Sequence, residues 1–305
     1  MTGHPAPPWL THVLCDPAIT DICLNGANEA FVDAGHGMQP LLNAKWSMED
    51  MRMWILDQLS QTGKSWDARY PFVDSTLASG HRLHAAFPPL ARQGIVVSLR
   101  RLPRPHEARW GNARFFELLK QAITRGESIL ISGATGSGKT TLANDLLACV
   151  PPHERIIALE DTSELAPRHP HFVSLLARPP NADGFGEITL RTLLKQALRM
   201  RPDRLILGEC RGAEVLDLLQ ALNTGHRGAL ATLHANSPRE ALKRIELLCL
   251  LSAGGAIPLA AIREFLALGV QWVAHVRREG PERFISEVMH LEGREGDSLL
   301  MRSIQ

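Results

Sequence analysis

The sequence predicts an α/β protein: a parallel sheet covered by helices on both faces, preceded by a smaller α/β domain. Three features point there. After residue 112, short apolar runs alternate with helical stretches, the pattern of strands joined by crossover helices. The glycine-crowded segment "SGATGSGKTT" (132–141) stands between one such run and one such helix. Upstream, "RLPRPHEARWGN" carries two prolines and little periodicity, which makes it the best linker. The expected organisation is a first domain over 1–100, a linker over 101–112 and a second domain over 113–305. A chain of 305 residues is long enough to bury a core in each.

Residues 9–40 read as short strands and turns, "ITDICLNG" and then "AFVDAGHG", each stopped by Gly or Asn. Ser47 caps a helix running to about Thr62, with Met51, Trp54, Ile55, Gln58 and Leu59 near helical spacing. "HRLHAAFPP" and "GIVVSLRR" are two further strands around a Pro-Pro turn. In the second domain Asn112 caps the helix "ARFFELLKQAITRG", which ends at Gly126. "SILISG" is a buried strand running into the glycine turn, and "KTTLANDLLACV" is the helix that follows. "RIIALE", "HFVSLLA", "RLILGE" and "GALATLH" are further strands. Thr189 caps a helix in which Leu190, Leu193, Leu194, Ala197 and Leu198 share one face. "VQWVAHVRREGPERFISEVMHLEG" closes the domain as a hairpin turning at Gly280 and Pro281.

Apolar residues make up 45% and charged residues 21%, ordinary for a globular chain. A net charge of +1 argues against a broadly basic surface of the kind that coats nucleic acid, although a local patch remains open. The five cysteines (Cys15, Cys23, Cys149, Cys210, Cys249) form no C-x-x-C pair, so neither a zinc knuckle nor a disulfide framework is readable and a reducing compartment is expected. "MTGHPAPPWL" lacks the basic and apolar regions of a secretory signal. The longest uncharged run, "LLCLLSAGGAIPLAAI" (247–262), is short for a membrane span and is broken by Gly254, Gly255 and Pro258. A soluble cytoplasmic protein without a transmembrane segment is expected.

The spacing Gly133-x-x-x-x-Gly138-Lys139-Thr140 fits a phosphate-cradling loop, and its strand–turn–helix setting strengthens the match. Glycines let the backbone curl so that several N–H groups face one point beside a helix N-terminus. Gly133, Ala134, Thr135, Gly136, Ser137, Gly138, Lys139, Thr140 and Thr141 are therefore the expected ATP-binding stretch. Lys139 reaches the β- and γ-phosphates and the Thr140 hydroxyl ligates Mg²⁺. Two strand ends add acids: "IIALEDTSEL" brings Glu160 and Asp161, and "RLILGECRG" brings Glu209. In a doubly wound sheet these ends gather at one edge. Glu160 and Glu209 then orient water or hold the metal, or else cap the helices that follow. His234, ending "GALATLH", either senses the γ-phosphate, bonds Glu209, or is a satisfied core or capping residue.

Taken in order, "GATGSGKTT", "ALEDTSEL", "LRMRPDRLILGECRGAEVLDLLQALNTGHRG" and "ATLHANSPREAL" resemble the Walker A, Asp-box, Walker B and His-box segments of the type II/type IV secretion ATPases. The nearest branch is that of the tight-adherence (Cpa/Tad-type) pilus ATPases, beside the conjugation-type ring ATPases. "DPAITDICLNG", "GHRLHAAFPPL" and "GIVVSLRR" resemble that branch's amino-terminal domain. The resemblance implies a RecA-like P-loop NTPase domain with a smaller α/β (PAS-like) amino-terminal domain. It also implies a cytoplasmic homohexamer, peripheral at the inner membrane through a platform protein, whose ATP hydrolysis drives pilus assembly or secretion. By the same resemblance Lys139 and Thr140 bind phosphate and Mg²⁺, Glu160 is the Asp-box acid and Glu209 the Walker B glutamate. Glu160 and Glu209 join Thr140 as metal ligands and His234 is the His-box residue. Arg82 and Arg100 match arginines that contact phosphate at subunit boundaries, with Arg101 a weaker match, and Arg199 and Arg201 either serve that boundary or cap a helix end.

The type II secretion ATPases and many pilus-extension ATPases carry a tetracysteine module that this sequence lacks, which points to the Cpa/Tad or conjugation-type branch. The long leading segment common in Tad-type chains is not read here, so docking through one is not expected, and Arg227 stands where a smaller or acidic residue is expected. The rival reading is a RecA-like nucleic-acid translocase of conjugative DNA transfer, which the near-neutral charge disfavours; no direct nucleic-acid binding is expected. "LSAGG" (251–255) looks like the signature loop of ABC-type ATPases, but it follows the Walker B strand where that loop precedes it, and it reads as a helix–helix turn. A nucleotide switch with little hydrolysis stays open. Pilin, effector and DNA cargo, and extension and retraction, all use the same motor residues.

Overall fold

The computed structural model describes residues 4–62, 66–101, 110–181, 183–280 and 282–305. Met1–Pro103 and Arg104–Gln305 are two compact units. Residues 102–109 of the expected linker, and Pro281 of the expected hairpin turn, lie outside the described residues.

The first unit holds α1 (Pro8–Cys15), β1 (Asp21–Asn25), β2 (Ala30–Asp33), β3 (Met38–Pro40), α2 (Met48–Gln61), β4 (Phe72–Thr76), β5 (His81–Ala86) and β6 (Val96–Arg101). Its six strands form an antiparallel sheet in the order β3-β2-β1-β6-β5-β4. Ser47 caps α2 by accepting from the Asp50 amide, and Met51, Trp54, Ile55 and Leu59 are buried, as the spacing predicts. Residues 8–15 correct the sequence reading, which expected strands and turns there. They form a helix that has Pro8 in its first turn, where the missing N–H is tolerated, and that buries only Leu10 and Val13. Two turns are too short for that period to stand out in the sequence. Strand β4 has no counterpart among the expected strands.

The second unit holds α3 (Ala113–Thr124), β7 (Ile129–Gly133), α4 (Lys139–Leu147), β8 (Ile156–Glu160), β9 (Phe172–Leu176), α5 (Leu190–Ala197), β10 (Arg204–Leu207), α6 (Glu214–Asn223), β11 (Leu230–Leu233), α7 (Pro238–Ala253), α8 (Leu259–Gly269), β12 (Trp272–Glu279), β13 (Glu282–Glu295) and β14 (Ser298–Ile304). The strand order is β14-β13-β12-β7-β11-β10-β8-β9, with β7 to β12 parallel and β13 and β14 antiparallel. Successive residues of the buried strands serve opposite layers. Ile157, Leu159, Leu205 and Leu207 pack with Leu194, Leu219, Ile245 and Leu266 of the helices on one face. Ile156, Ala158, Ile206 and Leu230 pack with Leu119, Ile123, Leu142 and Leu146 of α3 and α4 on the other. Both faces are covered, so these strands read as continuous apolar runs. Each fully buried leucine or isoleucine contributes on the order of 1.5–3 kcal/mol.

Helix α7 ends at Gly254, which has φ 55, so "LSAGG" is a helix–helix turn. Among the described residues no helix is long and apolar enough to cross a membrane. The sheet order brings the carboxyl ends of β7, β11, β10 and β8 side by side, and there the candidate site lies.

Candidate active site

The loop 134–138 leaves β7 and delivers Lys139 as the first residue of α4. Gly136 (φ 73) and Gly138 (φ 106) take left-handed backbone that side chains resist. A Cβ on Gly133 would lie 2.5 Å from both the Ser137 Oγ and the Val276 carbonyl oxygen. The backbone therefore closes on itself without side chains in the way. Ser137 Oγ is buried and has no hydrogen-bond partner. A buried orphan hydroxyl beside the N-terminus of α4 suits an anionic ligand. The residues fit a nucleoside triphosphate.

Lys139 is only 7% exposed. Its Nζ donates to the carbonyl oxygens of Gly133 (3.0 Å) and Ala134 (2.8 Å) and faces Nδ1 of His234 at 3.2 Å. On the other side of that ring, Nε2 lies 3.0 Å from Oε1 of Glu209. The two neighbours fix the tautomer. An ammonium can only donate, so Nδ1 accepts, and Nε2 carries the proton that it donates to the carboxylate. Burial pushes the His234 ring below its usual range and the Lys139 charge adds to the effect, while Glu209 opposes it. Burial likewise pushes the Lys139 ammonium down, against Glu209 and Glu164. Arg211 holds the second oxygen of Glu209, its Nη2 donating to Oε2 at 2.5 Å. Glu214 fixes the Arg211 loop in turn, because its Oε1 accepts from the amides of Arg211 and Gly212, each at 2.7 Å.

Lys139, Thr140, His234 and Glu209 thus share one strand edge. Glu160, expected as a metal ligand beside Thr140, is bonded elsewhere, and the acid that Thr140 meets is Glu164. The Glu160 side chain turns inward at 2% exposure. Its Oε1 accepts from the amides of Glu164 and Leu165, both at 2.8 Å, and its Oε2 accepts from Ser174 Oγ at 2.7 Å. Burial raises its pKa, and these three hydrogen bonds oppose that. The acid that faces the phosphate loop is Glu164, whose Oε2 accepts from Thr140 Oγ1 at 3.1 Å. Glu164 lies within the same segment, four residues after Glu160, and no spacing rule singles it out.

Arg82 and Arg100 belong to the first unit, where they are directly paired across β5 and β6, and Arg100 is paired with Asp21 of β1. Nε of Arg100 donates to Asp21 Oδ1 at 2.8 Å, and Nη2 of Arg82 lies 3.9 Å from Asp74. Arg101 points elsewhere and donates to the carbonyls of Leu14, Asp16 and Ile19, which tie down the end of α1. Arg199, Arg201 and Arg227 are exposed, and nothing in the structure explains Arg227.

A cleft of ≈ 600 Å³ opens beside the loop, between Ala134–Ser137, Ala235 and Asn236, and the β12 end from His275 to Gly280. That volume is of the size that holds a small ligand.

Residues 68–266 match the protein family described as "Type II/IV secretion system protein". A "putative conjugal transfer protein" of Mycobacterium tuberculosis is 40% identical over 302 residues, which is 94% of this chain and 85% of that one. The "type IV secretion system protein VirB11" of Brucella suis is 28% identical over 94% of this chain and 88% of its own. Among solved structures, the Brucella suis VirB11 ATPase in complex with sulphate matches at a TM-score of 0.52 and 27% identity, covering 92% of each chain. The pilus retraction motor PilT with bound ADP matches at 0.65 and 20% identity, over 90% of this chain and 79% of that one, and so bears on the fold alone.

Proposed function

The chain belongs to the type II/IV secretion system protein family, and from that membership we propose that it is a ring-forming motor ATPase of a type IV secretion or conjugal transfer apparatus. The observation that carries the reading is the continuous link from Lys139 through His234 to Glu209. It joins the residue that holds the terminal phosphate to the acid that activates water. The loop amides and Lys139 hold the β- and γ-phosphates of ATP. Glu209 orients the attacking water and takes its proton, with the neutral His234 ring keeping one carboxylate oxygen in place. Thr140 with Glu164 and Glu209 would hold Mg²⁺, which neutralises phosphate charge when bound.

Arg82 and Arg100, side by side on one face of their sheet, are guanidinium groups for a phosphate bound by an adjacent subunit. The ring is a homohexamer that works at the inner membrane through a platform protein. The conjugal-transfer names of the relatives favour a transfer or secretion apparatus over a pilus. They also keep a DNA cargo in view, moved by partner proteins rather than bound by this near-neutral chain. Phosphate release by the purified protein tests the reading. Wild type should turn over ATP and Lys139→Ala should not; a wild type that binds ATP without releasing phosphate would make it a switch instead. Stimulation by single-stranded DNA would favour the translocase reading.

A further inference from the structure

The family reading assigns no part to the closing hairpin, yet β12 and β13 place an arginine against the phosphate loop. β12 runs beside β7, with His275 opposite Ser132 and Val276 opposite Gly133, so its end lies next to the start of the loop. Across the hairpin, Arg283 is paired with Arg278. The Arg283 stem covers the last glycine of the loop: a Cβ on Gly138 would lie 2.8 Å from Arg283 Cδ and 3.3 Å from its Nε. The side chain thus lies against the residue that caps α4.

Its backbone is pinned. The Gly111 amide donates to the Arg283 carbonyl at 3.0 Å, and Trp110 pairs with Arg283 in a β-bridge. Trp110 also donates from Nε1 to Asp145 Oδ2 of α4 at 2.9 Å, so helix, hairpin and the 110–111 segment form one fixed wall. Within that wall the Nε of Arg283 is buried and has no hydrogen-bond partner. Burial and Arg278 press against its charge, with Asp145 the acid that favours it. An N–H of a guanidinium kept from water without an acceptor marks a place where a ligand supplies one.

Topology says which part of the ligand lies there. His234 follows β11, Glu209 follows β10 and Glu164 follows β8, all on one side of β7. They mark the terminal-phosphate end. Arg283 lies on the other side of β7, beyond β12. A nucleotide with its γ-phosphate at Glu209 and its β-phosphate in the loop must direct the α-phosphate and ribose away from β11. We propose that Arg283 binds the α-phosphate of the nucleotide held by its own subunit, an inference that rests on the ATPase reading. A guanidinium edge suits a phosphate with two free oxygens, and an ammonium in its place offers no matching fork.

ADP carries the α-phosphate without the γ-phosphate, so it isolates this contact from the hydrolytic machinery. Calorimetry with ADP and with the two diastereomers of ADPαS should be run on wild type, Arg283→Ala and Arg283→Lys. Wild type should prefer one diastereomer several-fold, because sulfur replaces the oxygen that the guanidinium touches. Arg283→Ala should bind ADP about tenfold more weakly, the loss typical of one charged hydrogen-bonding group, and should bind the two diastereomers within twofold of each other. Arg283→Lys keeps a covering stem over Gly138, so it supplies the same comparison should the alanine variant fail to fold. Unchanged ADP affinity would overturn the proposal. Weaker ADP binding with the diastereomer preference intact would overturn it too, because Arg283 would then only shape the loop. A wild type that binds no ADP would instead remove the ATPase reading, and this inference with it.

Discussion

Nε2 of His234 lies 3.0 Å from Oε1 of Glu209 while Nδ1 of the same ring faces Nζ of Lys139 at 3.2 Å. One neutral imidazole therefore joins Lys139 to the acid on the neighbouring strand. Protonation would place a second cation against the Lys139 ammonium and remove the acceptor at Nδ1.

A pH dependence follows. His234 titrates below its usual value near 6.5, chiefly because it is partly buried and secondly because of Lys139. It is therefore neutral at pH ~7, and turnover is held until the pH falls below that usual value. The native state takes up this proton less readily than the unfolded chain, so the ring's contribution to stability is also lost as pH falls through the same window. Rate against pH from 8 down to 5 checks this. The acid limb should lie below about 6.5 in wild type and should change shape in His234→Gln. A limb centred above that value would assign the loss to another group.

The two acids at and after the end of β8 should separate by what they disturb. Glu160→Ala leaves the Glu164 and Leu165 amides and the Ser174 hydroxyl without their acceptor, so it should cost roughly 2–4 kcal/mol of stability. Glu164→Gln should melt like wild type and lose turnover by one to two orders of magnitude, since that carboxylate faces Thr140. Thermal melts and turnover on both variants test the division. A Glu160→Gln variant that melts normally and is inactive would restore Glu160 to the chemistry.

Gly228→Ala tests a feature of the core. A Cβ there would fall 1.8 Å from Nη1 of Arg204, at a backbone φ of 67 that alanine resists. The Arg204 side chain is 4% exposed and paired with Glu154. Pushing it aside breaks a buried charge pair, so a loss of about 3 kcal/mol or more is expected by denaturant melt. Gly225→Ala is the matched control, because that position opens on space although its φ is also positive.

The legible parts of this chain are those where one local rule sufficed. Ser47, Asn112 and Thr189 each cap the helix expected of them, because side chain and amide are three residues apart. The buried strands were readable because a sheet covered on both faces leaves long apolar runs. The Lys139, His234 and Glu209 cluster was readable because strand ends gather at one edge. Side-chain direction was not. Whether Glu160 or Glu164 faces Thr140 depends on how residues 161–165 curl back onto the Glu160 carboxylate, and no spacing encodes that. Arg283 was beyond reach because it meets the loop only through the pairing of β13 with β12 and of β12 with β7.

Arg82 and Arg100 are paired across adjacent strands, and Arg100 is also ion-paired with Asp21. Two guanidinium groups side by side repel, and the exposed Asp21 pair offsets little of that, so the doublet suits an incoming phosphate better than it suits stability. If the phosphate belongs to the adjacent subunit, Arg82→Ala/Arg100→Ala and Lys139→Ala should each be inactive alone and restore one another on mixing. An equal mixture that exchanges subunits at random should recover roughly a quarter of wild-type turnover, since one interface in four joins an intact loop to intact arginines. Action within one subunit predicts no recovery at any ratio. Turnover against mixing ratio therefore separates the two, and a curve that stays at zero would return Arg82 and Arg100 to the surface of their sheet.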